Sequence, residues 1–201
     1  MSTSVKVLAV TNRKLCQGNF LERIGLLADS PVQAIVLREK DLPEPEYERL
    51  AADALAICRQ KGKPCILHAF PEVAHRLGCA SVQLPLPILR SLKNPRDRFD
   101  VLGASVHSAE EAVEAERLGA TYLTAGHIFE TDCKEGLEGR GLDFLQSVCR
   151  SVRLPVYAIG GITPENLPRV LEAGAAGGCM MSSLMTCADL ETYLQKLRMN
   201  G

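Results

Sequence analysis

The sequence has almost no surplus of charge. Its 23 Lys and Arg stand against 24 Asp and Glu, for a net charge of −1. That balance argues against nucleic-acid binding by bulk electrostatics, which needs clustered positive charge. An anionic ligand would have to be held locally, by a few basic side chains and backbone amides. No apolar run approaches the ~20 residues a membrane helix requires, so no membrane partner is expected. Residues 1–5 show no basic stretch leading into an apolar one, and no secretory signal is expected. Eight cysteines are present, yet none forms a Cys-x-x-Cys pair and no Cys/His cluster has zinc spacing. Most are expected to be small buried apolar residues in a reducing cytoplasm. Cys133 stands apart because it sits in a polar loop beside Lys134. No low-complexity linker divides the chain, so residues 1–201 are expected to form one domain.

Short apolar runs alternate with amphipathic segments. Strands are expected over residues 5–11, 34–40, 65–69, 81–84, 101–107, 122–128, 155–159 and 178–182. Helices are expected over 19–28, from near Pro45 to before Gly62, then over 72–77, 87–92, 142–150, 164–173 and 188–198. Another opens at Ser108, an N-cap with Glu111 completing a capping box. Eight strand–helix pairs in 201 residues, with strands apolar along their whole length, indicate an α/β protein built as a single (β/α)8 TIM barrel. An open doubly wound sheet rarely alternates eight times without a break.

In such a barrel the loops after the strands gather at one face, and that face carries function. Reading the strand ends gives Thr11, Arg38, Lys40, His68, Gln83, Ser105, His107, His127, Gly160, Gly161, Ser182 and Ser183. The clearest binding signal is Ala158-Ile159-Gly160-Gly161-Ile162-Thr163 together with the glycine-rich run from Gly174 through Met181, Ser182 and Ser183. Glycines after strands 7 and 8 allow the backbone to approach a phosphate closely. Tight turns alone are the competing explanation. If phosphate binding is their purpose, Gly161→Val should weaken ligand binding far more than stability. Arg38 and Lys40 share one strand parity and are expected at the barrel mouth. A solvated strand end is equally compatible with that segment. His127 ends strand 6 before a polar loop, a position suited to proton exchange near neutral pH. His75, beside Arg76 in a helix, reads as surface.

At these residues the chain resembles the thiamine phosphate synthase/TenI superfamily. The likeness runs through Leu37-Arg38-Glu39-Lys40, Gly103-Ala104-Ser105-Val106-His107-Ser108, Gly126-His127-Ile128-Phe129 and Ile159-Gly160-Gly161-Ile162-Thr163-Pro164-Glu165-Asn166. The synthases of that family usually carry Gln-x-Arg-x-Lys after strand 2, where Val36 replaces the glutamine. They carry Asn-Asp-Arg after strand 3, here His68-Ala69-Phe70, and Gly-Gln-x-Asp after strand 4, here Pro85-Leu86-Pro87-Ile88. Two magnesium-holding aspartates are thereby replaced by Ala69 and Ile88, which offer no side-chain oxygen. A proline usual in the synthases is His127 here, and the surrounding residues look like TenI-type thiazole tautomerases. The resemblance therefore implies an isomerase of thiamin biosynthesis, aromatising a carboxylated thiazole phosphate tautomer without metal or cofactor. It implies His127 as the catalytic residue and His107 as a second proton carrier or a brace for the strand 5 turn. Arg38, Lys40, Ser105 and Lys134, with Gly160, Gly161, Met181, Ser182 and Ser183, would bind the phosphorylated thiazole. A homodimer is the family expectation. The alternatives are a thiamine phosphate synthase with unusual metal ligation and a non-catalytic regulator that binds thiazole or thiamine phosphate.

Overall fold

Residues 5–130 and 138–199 are described by the structure, a computed structural model. Eight parallel strands, β1 (Val5–Val10), β2 (Val32–Leu37), β3 (Cys65–His68), β4 (Ser81–Pro85), β5 (Val101–Val106), β6 (Tyr122–Gly126), β7 (Val156–Ile159) and β8 (Gly177–Met180), pair in chain order. Leu8 faces Ala34 of β2 on one side and Cys179 of β8 on the other, closing the barrel. The expected (β/α)8 barrel is therefore the observed architecture.

Alternation along the strands explains why they read as unbroken apolar runs. Leu8, Val10, Ala34, Val36, Ile66, Tyr122 and Cys179 pack together inside the barrel. Their neighbours Val7, Ala9, Ile35, Leu37 and Leu67 pack outward, in one cluster with helix residues such as Ile24, Leu27, Tyr47 and Val148. Both faces are covered, so neither needs polar residues.

The outer layer comprises α1 (Phe20–Asp29), α2 (Glu44–Gln60), α3 (Pro71–Arg76), α4 (Leu86–Ser91), α5 (Ala109–Arg117), α6 (Gly141–Ser151), α7 (Leu167–Glu172), α8 (Ser182–Thr186) and α9 (Leu190–Met199). Local chemistry sets their starts. Asn19 caps α1 by accepting from the amides of Leu21 and Glu22, and Pro45 sits in the first turn of α2. Ser108 accepts from the Glu111 amide, but the Glu111 carboxylate reaches back to the amide of His107 rather than to that of Ser108. The capping box is thus displaced by one residue.

Several boundaries differ from the sequence expectation, among them the eighth strand, which ends at Met180 so that Ser182 opens α8, and three others bear on the site. The second strand runs over Val32–Leu37, so Arg38 and Lys40 follow it instead of ending it. The sixth ends at Gly126, which leaves His127 just beyond the sheet. α7 begins at Leu167, because Asn166 accepts from the Thr163 amide and donates to Gly161 O, holding residues 161–166 as a turn. α8 was not legible at all: five residues are too few to show helical periodicity.

Candidate active site

A cavity of about 680 Å³ opens at the C-terminal ends of the strands. Thr11, although a strand-end residue, does not line it. Its hydroxyl donates to Glu39 Oε1 at 2.7 Å and accepts from the Arg38 amide at 2.9 Å. Glu39, buried, also accepts from the Arg13 amide and guanidinium. This bracket ties the loops after β1 and β2 together and sets where the Arg38 and Lys40 side chains begin. Both line the cavity. Close by, Tyr47 of α2 donates to Leu37 O at 2.8 Å and accepts from the His68 amide at 2.9 Å, fixing the ends of β2 and β3 relative to each other.

His68 also lines the cavity and is 5% exposed. Burial, followed by the positive charges of Arg38 and Lys40, pushes its pKa down to about 3. It is a neutral imidazole at physiological pH, with Nδ1 buried and unpartnered. The floor is polar. Gln83 Nε2 donates to Ser105 Oγ and Thr124 Oγ1, each at 3.0 Å, while Gln83 Oε1 is buried without a partner.

His127, 7% exposed, stands on the wall. Its Nε2 lies 2.9 Å from Glu138 O. A carbonyl only accepts, so this contact assigns a proton to Nε2, and in the neutral tautomer Nδ1 is then the acceptor. That Nδ1 is buried and has no hydrogen-bond partner among the described residues. His107 differs, being half-exposed with Nδ1 3.3 Å from Glu111 Oε2 and its carbonyl accepting from Arg140 at 2.8 Å.

Against His127 lie Gly160 and Gly161 after β7, with φ of 101° and 64°, and Met181, Ser182 and Ser183 after β8 line the same cavity. The glycines are required by more than a ligand. A Cβ on Gly160 would lie 2.4 Å from His127 Cβ, and one on Gly161 would lie 2.5 Å from Glu130 O. The expectation that Gly161→Val would spare stability is therefore corrected, because that side chain would strike the backbone of the strand 6 loop.

Of the site residues expected from sequence, the cavity brings together Arg38, Lys40, Ser105, His107, His127, Gly160, Gly161, Met181, Ser182 and Ser183. Lys134, like Cys133, lies outside the described residues. His75 is exposed on α3. Two contributions were missed. Thr124 joins the strand-end residue Gln83 in the floor, and its signal was a polar side chain inside an otherwise apolar strand. Arg90 reaches the cavity from α4, and a lone basic residue on a helix carries no signal of that kind.

The described donors around the mouth do not suit magnesium. A hard divalent ion takes oxygen ligands, and the described carboxylates lining the cavity are Glu111 and Glu130. Glu111 already accepts from the His107 amide. Among the described residues no group of three His, Cys, Asp or Glu is arranged to hold a metal. Position 69 is an alanine at φ 68°, a left-handed conformation that Asp and Asn adopt more readily. Ile88 packs against the core.

A family model described as thiamine monophosphate synthase matches residues 7–184. The thiamine-phosphate synthase of Syntrophomonas wolfei is 34% identical over 98% of this chain and 97% of its own. That of Pyrococcus furiosus is 30% identical over 98% and 95%. Among solved structures, the thiamine phosphate pyrophosphorylase from Pyrococcus furiosus superposes with a TM-score of 0.83 at 31% identity, covering 98% of this chain and 95% of that one. These likenesses overturn the expectation of a thiazole tautomerase, an isomerase. That expectation rested on His127 and the residues around it, and on two replaced carboxylates. The likeness to proteins named as synthases spans nearly the whole chain.

Proposed function

The chain belongs to the thiamine monophosphate synthase family, and from that membership we propose that it is a thiamine-phosphate synthase. The reaction joins a pyrimidine diphosphate to a thiazole phosphate and releases pyrophosphate. The observation that carries this reading is the 34% identity over 98% of the chain to a protein of that name.

The cavity offers a place for each part of such a pair. The thiazole phosphate lies against the backbone of Gly160 and Gly161 and the start of α8, where main-chain amides can approach an anion. The diphosphate lies toward Arg38 and Lys40, whose charge offsets the negative charge that grows on the leaving group. His127 Nδ1 accepts an N–H of the bound ligand, which fits its buried and unpartnered state. His107 and Ser105 border the same space. No step is assigned to a metal, since the donors among the described residues do not fit one. The proposal includes a homodimer and a cytoplasmic setting. The latter is supported by seven described cysteines that are all free thiols.

A second reading, a protein that binds thiazole or thiamine phosphate without turnover, is favoured by Ala69 and Ile88 at the positions of the family's aspartates. Incubating the protein with both substrates, with and without added magnesium, and following thiamine phosphate by chromatography separates the two. Product above the protein-free control is expected. Tight binding of thiazole phosphate with no product under either condition would leave the binding protein standing and remove the synthase.

A further inference from the structure

Three cations line the cavity at the strand ends. Arg38 and Lys40 follow β2 and bear on His68 at the end of β3. Arg90 comes from α4, two residues after Ile88, and lines the same cavity. Its position is braced: Nε and Nη2 bond both oxygens of Glu114 on α5, at 2.6 and 2.7 Å. Nη1 has no partner among the described residues. A planar guanidinium held along one edge by a carboxylate is a preorganised donor on its other edge.

A divalent cation entering this corner would face these three positive side chains. Positions 69 and 88, an alanine and an isoleucine packed against the core, supply it no side-chain oxygen. An anion entering it meets attraction from three directions without any ion to carry it. Like-charge repulsion and the scarcity of carboxylate ligands among the described residues act together against the metal.

We infer that this chain binds the diphosphate of its ligand directly, through Arg38, Lys40 and Arg90, and not through a divalent metal held by carboxylates. Arg90 is assigned as the residue that takes over at the strand 4 corner. The inference deepens the proposed function and rests on the same reading of the cavity, but it concerns binding, so its test is independent of turnover.

The test is calorimetric titration of the full chain with inorganic pyrophosphate, once in EDTA and once in excess magnesium. Affinity in EDTA equal to that in magnesium within about threefold is expected. Arg90→Gln should weaken the EDTA affinity by about tenfold. Glu114→Gln, which loosens the brace but keeps the cation, should weaken it less than Arg90→Gln does. Tightening by magnesium of about tenfold or more, or no pyrophosphate binding in EDTA, overturns the inference. So does an equal loss in the two variants, which would mean that Arg90 only braces α4 against α5. Metal-free binding without thiamine phosphate formation would sink the synthase assignment alone. Product formed with magnesium-dependent binding would sink this inference alone.

Discussion

His127 and Gly160 touch through their backbones: a Cβ at position 160 would lie 2.4 Å from His127 Cβ and 2.8 Å from its Cα. The contact continues the pairing of β6 with β7 past the end of the sheet, since the amides of Ile128 and Phe129 donate to Ile159 O and Gly160 O at 2.9 and 3.0 Å. The wall that carries the imidazole therefore owes its place to a missing side chain. Gly160→Ala should destabilise the fold by about 2–4 kcal/mol, combining a left-handed non-glycine backbone with overpacking. Urea unfolding measures this directly. Unchanged stability with impaired ligand binding would show that position 160 serves the ligand alone.

Thr11 has the opposite character, a strand-end residue that holds the scaffold and makes no cavity contact. Thr11→Val removes the 2.7 Å bond to buried Glu39 and the acceptor for the Arg38 amide. A loss of ~1–3 kcal/mol is expected, because both partners stay in place without that contact. Because Arg38 begins at this bracket, pyrophosphate binding should weaken as well. An unaltered urea midpoint would refute the scaffold role.

The pH dependence of stability should carry the signature of His68. Its pKa falls from the ordinary 6.5 to about 3 in the fold, through burial first and then through Arg38 and Lys40. Above the unfolded value neither state is protonated there, and the residue contributes nothing to the slope. Below it the unfolded chain takes up a proton that the folded chain refuses, so stability is lost as pH falls from about 6.5 toward about 3. His68→Gln should flatten the profile in that window by up to ~1.4 kcal/mol per pH unit and leave the neutral region without slope change. Parallel profiles for variant and parent would show that His68 is accessible to protons in the fold.

Arg38→Met keeps the backbone bond to Thr11 and the length of the side chain while removing the charge. On the proposed function it should raise KM for the diphosphate substrate by about tenfold to hundredfold, with the melting temperature nearly unchanged. Steady-state kinetics and a thermal scan on one preparation decide it. A KM shift confined to the thiazole phosphate would reverse the assignment of the two ends of the cavity.

Cys179 lies inside the barrel, and burial pushes its thiol up to about 12. A disulfide reagent at neutral pH should modify partly exposed Cys16 in the native protein and reach Cys179 only after unfolding. Peptide mapping of the labelled chain reads both sites. Labelling of native Cys179 would mean that the barrel interior opens readily.

Residue types along the chain determined the architecture. Apolar runs of strand length, separated by amphipathic segments, can bury both strand faces only between a barrel interior and a helical layer, so eight pairs and their order were legible. Most strand-end residues at the mouth were legible too, since a polar side chain closing an apolar strand has few other places to go. Tertiary structure alone decided which of them face one another. Thr11 and Glu39 are far apart in sequence, and nothing local announces that Thr11 turns to a carboxylate and away from the cavity. Arg90 sits on a helix with no motif around it, and only the packing of α4 on α5 brings it to the mouth. The same holds for Gly160 and Gly161, whose need for hydrogen in place of a side chain comes from the strand 6 loop lying against them. Strand and helix follow from short-range periodicity, whereas the site is made by contacts between segments that periodicity does not relate.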